Sequence, residues 1–331
     1  MFRYLIRRLL WACVLFVAVT IVTYVIFYAI PVNPARLACG QRATPECVRR
    51  AADFLGTNKP LYVQYGRFFG RLMPFSIKGG PHFKEPKLGR SFTTRLSVNY
   101  VVAHAAPVTA SLIFGGAVFW MLIALPVGIL SALRPRSLLD RIAMVFVLVG
   151  ISAHPVWIGL IFAYLFGFKL GWFPITGYSC FFDCHQAQQG PVQWAYHMFL
   201  PWMTFAILFA ALYVRMIRAN VMDTMNEDYV RTARAKGAPE HRVLRSHVLR
   251  NALLPVVTML GMDIGLALGG AIFTETVYAL PGLGKTAIQS VFNFDLPTTQ
   301  GVVVFGTICI IAFNLVVDLL YAVIDPRIRL S

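Results

Sequence analysis

The sequence predicts an all-α, polytopic membrane protein with six transmembrane helices and both termini on the cytoplasmic side. Three observations carry this prediction. Of the 331 residues, 58% are hydrophobic and only 13% are charged, and the mean hydropathy of +0.66 lies far above that of a water-soluble domain of this length. Apolar runs of about 20 residues, the length that crosses a bilayer, recur along the chain. Lys and Arg are distributed unevenly between the segments that join those runs.

The runs fall at 9–30, 105–133, 142–168, 194–214, 251–273 and 301–324. The first follows a basic start (Arg3, Arg7, Arg8), as a signal peptide would. Its apolar stretch is too long for one, and no small-x-small cleavage site precedes Pro31, so it reads as an uncleaved span. The second and third are long enough to tilt. In the fourth, His197 and Pro201 leave an uninterrupted core of only 202–214.

With the N-terminus inside, the inner segments hold sixteen basic residues, eight of them between Arg215 and Arg250, whereas the outer loops 169–193 and 274–300 hold only Lys169 and Lys285. The segment 31–100 carries twelve and is also placed outside. Segments of that length translocate regardless of charge, so the short loops decide. The chain divides into 1–30 (N-terminal segment and first span), 31–100 (a large extracytoplasmic region) and 101–331 (spans two to six), with a cytoplasmic loop at 215–250.

One stretch invites an enzymatic reading. YALPGLGKTAIQS, 278–290, fits a relaxed phosphate-binding loop, with Gly284-Lys285-Thr286 at its end. Such a loop needs a buried strand before it and a helix after it. Here a membrane span precedes it, and Lys285 falls on the outer side, away from ATP. The Pro281-Gly282-Leu283-Gly284 turn is expected to reverse the chain at the outer mouth. A short surface helix follows, with Ile288, Val291 and Phe292 facing inward. No zinc motif, nucleophile elbow or paired carboxylates suggest other chemistry.

The loop MNEDYVRTARAKGAPEHRVLRSHVLRNALLPVV, 225–257, predicts a short helix, a corner and a second amphipathic segment. Gly237 supplies the positive φ that ends the first helix, and Pro239 prevents its continuation. On charge alone, the loop reads equally as a device for fixing topology or touching anionic headgroups.

The order of residues says more. DYVRTARAKG followed by HVLRNALLP resembles the EAA loop of ABC importer permeases, in the form of the dipeptide/oligopeptide branch. Arg231-Thr232-Ala233 stands where the general pattern has Glu-Ala-Ala, and Arg250 replaces the proline of sugar-type relatives. The resemblance extends through LGTNKPLYVQYGRFF (55–69), LGRSF (88–92), PVTASL (107–112) and ALPVGILSALRPRSLLDR (124–141). It continues through GISAHPVWIGLIFAYLFGFKLGWFPITGY (150–178), TETVYALPGLG (274–284) and NLVVDLLYAVIDPRIR (314–329). The chain is similar to the first of two permease subunits of peptide-type systems.

This resemblance implies a type I ABC importer permease fold in a bacterial inner membrane. It implies that Asp228, Tyr229, Arg231, Thr232, Ala233, Arg234, Ala235, Lys236 and Gly237 form a coupling helix that seats on an ATPase subunit. The implied partners are a second homologous permease, two cytoplasmic ATPase subunits, an extracytoplasmic substrate-binding protein and a peptide cargo, with no nucleic acid. No cofactor is implied on this chain; ATP and Mg belong to the ATPases. Nickel and glutathione permeases share these motifs, and an ATP-independent channel or carrier is the reading the coupling motif disfavours.

Intramembrane polar residues are costly and hence functional candidates. Asp263 is expected to line the pathway and capture a peptide's amino group, or else to pair with an Arg or a partner helix. Asn314 and Asp318 suggest interhelical hydrogen bonding, and His154 beside Pro155 suggests a kink. Glu275, Pro281, Gly282 and Gly284 are gate candidates at the outer turn. Cys13 and Cys309 lie in spans. Cys39, Cys47, Cys180 and Cys184 are placed outside, where disulfides persist; of three possible pairings the local ones, Cys39–Cys47 and Cys180–Cys184, are favoured. No metal site is expected. The 61–72 region predicts an amphipathic helix with an aromatic face, and 78–87 a solvated insert. The basic outer region suits an acidic partner or serves as a cap over the path.

Overall fold

The computed structural model describes residues 2–29, 34–39, 44–55, 60–72, 75–76, 82–83, 88–179, 181 and 190–324. Fifteen α-helices account for most of these described residues: α1 (Phe2–Ala29), α2 (Pro34–Cys39), α3 (Pro45–Leu55), α4 (Leu61–Leu72), α5 (Val98–Leu133), α6 (Leu138–Ser152), α7 (Pro155–Phe162), α8 (Pro191–Met225), α9 (Asp228–Ala235), α10 (Glu240–Arg242), α11 (Arg250–Ala252), α12 (Leu254–Ala267), α13 (Ile272–Val277), α14 (Leu283–Phe292) and α15 (Leu296–Ile324). Two π-helical stretches, Ala163–Lys169 and Val243–Leu249, continue α7 and link α10 to α11. An antiparallel pair, β1 (Phe75–Ser76) and β2 (His82–Phe83), is the only sheet among the described residues.

Four helices are long and apolar enough to cross a membrane, and two bent helix pairs bring the number to six if each counts as one span. Helices are the expected solution, because hydrocarbon offers no partner for an open backbone N–H or C=O. The apolar run 142–168 does not form one straight segment. It breaks at Ser152-Ala153-His154, and the two halves diverge by 108°. Pro155 holds His154 in an extended conformation, with ψ 138°, as a residue before proline prefers. The His154 ring then caps α7 by accepting from Val156 N at 3.3 Å and meets Phe273 edge-on at 4.9 Å. The fourth run differs in the opposite sense: α8 continues through Pro201, which is buried inside it.

The chain forms two compact units, one of Met1–Thr109, Leu268–Ile272 and Pro281–Ala312, the other of Ala110–Ala267, Phe273–Leu280 and Phe313–Ser331. In the first, α4 lies on α1: Tyr65 shares a hydrogen bond with Thr20 at 3.0 Å and meets Tyr24 edge-on at 5.5 Å. Cys39 and Cys47 form a disulfide that joins α2 to α3, while Cys13 and Cys309 are free thiols. Cys180 and Cys184 lie outside the described residues. Asp295 ties the 88–97 loop to the start of α15. Its carboxylate accepts from the Ser91 hydroxyl, from Phe92 N at 2.8 Å and from Thr298 Oγ1 at 2.8 Å.

The GKT stretch belongs to the same unit. Gly284 sits in the first turn of α14, and a Cβ there would lie 2.8 Å from Ile272 N. Gly270, at φ +135°, has the α-carbon of Gly284 only 2.6 Å from where its own Cβ would stand. These glycines exist for close backbone packing. Leu283 joins a cluster with Val98, Val102, Ala105 and Val302, and this turns the opposite side of α14 outward. Val291 and Phe292 on that side are 53% and 76% exposed.

The second unit is organised around α8. Gly115, Gly116 and Gly128 of α5 face Trp202, Phe205 and Ile217 of α8 so closely that a Cβ at Gly115 would lie 2.1 Å from the Trp202 ring. The indole lies across the α5 backbone and donates from Nε1 to Ser111 O at 2.8 Å. Gly150 brings α6 equally close to Ala211. Small residues at such crossings are what lets helices associate in lipid. Gly115→Ala is therefore expected to cost about 1–3 kcal/mol through overpacking, read as a lower thermal-unfolding midpoint in detergent. Gly66→Ala, at an exposed position inside α4 where no atom lies within 4 Å, should not lower the midpoint, since alanine favours a helix over glycine; an equal loss would refute the tight seam.

Candidate functional site

The residues from Asp228 to Gly237 fold as one exposed hairpin arm. Asp223 O and Thr224 O end α8, and Glu227 in an extended conformation starts α9. Val230 is the fully buried residue of α9, and the helix packs against the 243–249 stretch, where Val243 and Val248 are also buried. Asp228, Tyr229, Arg231, Thr232, Ala235 and Lys236 are exposed, whereas Ala233 and Arg234 are half-buried. The helix thus has one buried apolar anchor and a charged outer face.

The corner is a Schellman turn. Gly237 N donates to Arg234 O at 2.9 Å, and Ala238 N donates to Ala233 O at 3.2 Å. Gly237 has φ +78°, and no atom lies within 4 Å of where a Cβ would stand, so glycine is required here for its backbone conformation and not for space. Two side-chain contacts close the hairpin. Near the corner, Arg234 donates from Nε to Glu240 Oε1 at 2.9 Å and from Nη2 to Oε2 at 3.4 Å. At the open end, Asn251 Nδ2 donates to Tyr229 Oη at 2.8 Å. Individually such exposed contacts contribute little; together they hold the two arms at a fixed angle.

The base of the hairpin is fastened to α8. Asn220 Nδ2 donates to Ala252 O at 3.3 Å. The same helix holds the 134–140 corner, where Asp140 is buried and fully engaged. Asp140 accepts from Arg218 Nε at 2.7 Å and Nη2 at 3.0 Å, from Arg136 N at 2.8 Å and from the Ser131 hydroxyl. A bidentate guanidinium with two further donors is the arrangement in which a buried carboxylate is stable. Arg136 itself adopts φ +64° to deliver its N–H.

The other candidates lie apart from the hairpin. Asp263 is half-buried on α12, and among the described residues its hydrogen-bond partner is Tyr213 of α8, fully buried, which donates to Oδ2 at 2.6 Å. Glu275 is fully buried in α13, and its carbonyl accepts from Leu280 N at 2.8 Å. In this turn the positive φ belongs to Ala279, at +55°, while Gly282 has φ −92°, open to any residue. Pro281 is exposed, and Gly282 and Gly284 are buried. Gly284-Lys285-Thr286 lies at the start of α14, after α13 and a turn, without the strand that a phosphate loop requires.

Two family descriptions match in tandem. Residues 1–113 match the N-terminal part of binding-protein-dependent transport system membrane components, and residues 124–330 match the binding-protein-dependent transport system inner membrane component. The chain belongs to this family. The permease is 34% identical to a putative peptide transport system permease protein of Brucella abortus, with 98% of each chain covered. It is 33% identical to the dipeptide transport system permease protein of Alkalihalophilus pseudofirmus, over 99% of this chain and 100% of that one. To the oligopeptide transport system permease protein of Bacillus subtilis it is 32% identical, with the same coverage.

Its fold is that of ABC transporter membrane chains. A chain of the inward-facing MetNI methionine ABC transporter aligns at TM-score 0.53 and 19% identity, covering 69% of the permease and 97% of that chain. A chain of an amino acid ABC transporter aligns at TM-score 0.51 and 15% identity, covering 67% and 93%. The permease is thus a membrane-embedded transport component.

Sequence reasoning passed over Asp140, Arg218, Tyr213 and Asn251. A signal existed for the first: Ser137-x-x-Asp140 is a capping-box spacing, and the Ser137 side chain does accept from Asp140 N at 3.2 Å. Nothing in the sequence pairs residue 140 with 218 or 229 with 251. Tyr229→Phe removes one exposed hydrogen bond worth about 0.5–1.5 kcal/mol. It should speed amide exchange across 228–237 without changing that of 213–221 in α8. Unchanged exchange in α9 would show that Asn251 does not clasp the hairpin.

Proposed function

We propose that the permease forms half of the translocation pathway of an ATP-driven, binding-protein-dependent importer of di- or oligopeptides. The observation that carries this reading is the clasped hairpin of Asp228–Gly237, an exposed helix fixed to its return arm and, through Asn220, to α8. A rigid arm of this kind transmits displacement, whereas a loose basic loop absorbs it. The peptide systems named for the relatives at 32–34% identity, aligned over nearly the whole chain, support peptide as the cargo.

In this reading the chain has six spans, each bent pair counting as one, with both termini cytoplasmic in a bacterial inner membrane. Residues 1–30 are the leading span, 31–100 meet the substrate-binding protein, and 101–331 form the permease core with its 215–250 coupling loop. A second permease completes the pathway. Two ATPase subunits hold ATP and Mg, and this chain is not itself catalytic. Closure of the ATPases moves residues 228–237, and the hairpin passes that movement to α8 and α12. Asp263, Glu275, Pro281, Gly282 and Gly284 belong to the pathway and its gate.

Gly237→Val places a β-branched residue at positive φ, a local cost of about 1–2 kcal/mol. Peptide uptake should be lost and ATPase subunits should co-purify poorly, at normal membrane insertion. Gly237→Asn, which tolerates this conformation, should retain both. Normal uptake by the valine variant would sink the coupling role. Lys285→Ala should leave ATP hydrolysis by the assembled transporter unchanged. A loss as severe as that from disabling a nucleotide-binding lysine would place ATP chemistry on this chain and overturn the reading.

A further inference from the structure

Asp263 and Tyr213 meet where two apolar helices, α12 and α8, come together. Asp263 lies nine residues into α12, about 14 Å along its axis from Leu254. A carboxylate on an apolar helix of this kind turns toward protein or a water-filled path, because facing lipid is the costliest alternative open to it.

The geometry around the pair is unequal. Tyr213 is 0% exposed, its ring packs at 5.8 Å from that of Trp120, and Trp120 is stacked at 4.7 Å on Phe209. The phenol is therefore immobilised, and its hydroxyl fixes Oδ2 of Asp263 from the protein side at 2.6 Å. Asp263 is half-exposed, and among the described residues no Lys, Arg or His lies within ion-pair distance of it. The contrast with Asp140 is direct: at the end of the same helical bundle, a carboxylate has a bidentate arginine and two further donors. One buried acid has its counter-charge built in; the other has only a neutral phenol.

We infer that Asp263 is a recognition site for a primary ammonium group, and that Tyr213 orients it by holding Oδ2 so that Oδ1 accepts from the ligand. The inference rests on the peptide-import reading, and the ligand is then the protonated amino terminus of the cargo peptide. An ammonium group is a compact cation with three donors, matched to one oriented carboxylate oxygen, and every unblocked peptide carries one whatever its side chains. A transient site of this kind suits passage, since the cation compensates the carboxylate only while the cargo is present.

The test uses the complete transporter, with permease pair, ATPases and binding protein reconstituted in proteoliposomes. Uptake of labelled Ala-Ala-Ala is compared with that of N-acetyl-Ala-Ala-Ala, each at a concentration saturating the binding protein. Asp263→Asn keeps an oxygen that accepts from Tyr213 but loses the charge. It should lower Ala-Ala-Ala uptake at least tenfold and erase the preference over the acetylated peptide, with subunit stoichiometry intact. Asp263→Glu should restore part of the uptake and the preference. Tyr213→Phe should lower uptake several-fold while keeping the preference. Normal uptake by Asp263→Asn, or loss of the partner subunit from that variant, would overturn the inference, the latter by showing that Asp263 pairs across the assembly. Failure of the unaltered transporter to take up Ala-Ala-Ala at all would overturn the peptide-import reading, and this site with it.

Discussion

In lipid, apolar surface has nothing to gain by leaving its surroundings, so helices associate through close packing and buried polar contacts. In the second unit both are concentrated on α8. The α5 glycines at 115, 116 and 128 and the α6 glycine at 150 remove the Cβ atoms that would hold neighbouring backbones away from α8. The polar contacts converge on the same helix. Trp202 reaches Ser111 O, Thr204 and Gly159 O share the Tyr278 hydroxyl, Tyr213 reaches Asp263 and Arg218 reaches Asp140. Altering the face of α8 would disturb every one of its neighbours at once.

That convergence gives the candidate site its mechanical sense. One helix holds the intramembrane carboxylate through Tyr213, the 134–140 corner through Arg218 and the return arm of the hairpin through Asn220, before running directly into α9. Packed interiors do not deform continuously, so a displacement of α9 is carried as a rigid movement of what is attached to it. The exposed clasps, Tyr229–Asn251 and Arg234–Glu240, are individually weak, and their value lies in fixing an angle.

Much of this was legible in the sequence because local chemistry specified it. Gly237 followed by Pro239 announced a helix end at a positive-φ corner, and α9 ends there. Pro155 announced a break beside His154. The extent of that break was not legible: the apolar run continues unbroken through 142–168, and hydropathy carries no information about a 108° change of direction. Pro201 misled in the other direction, since a proline embedded among packed neighbours costs one backbone bond without ending a helix. The face of α14 that packs on its own unit was not legible from the spacing of Ile288, Val291 and Phe292. The glycines at 270 and 284 decide which side packs.

The sequence by itself determined that the chain is helical and membrane-spanning, roughly where its long apolar helices lie, and that 228–237 is a helix closed by a glycine corner. These follow from hydropathy, charge and backbone preference, each a property of residues near one another in the chain. Tertiary structure alone decided that Asp140 has an arginine and Asp263 a tyrosine. The sequence shows two acids of the same kind. What distinguishes them is the side chain that an α8 residue 78 or 50 positions away brings within hydrogen-bonding distance, and no local preference encodes that pairing.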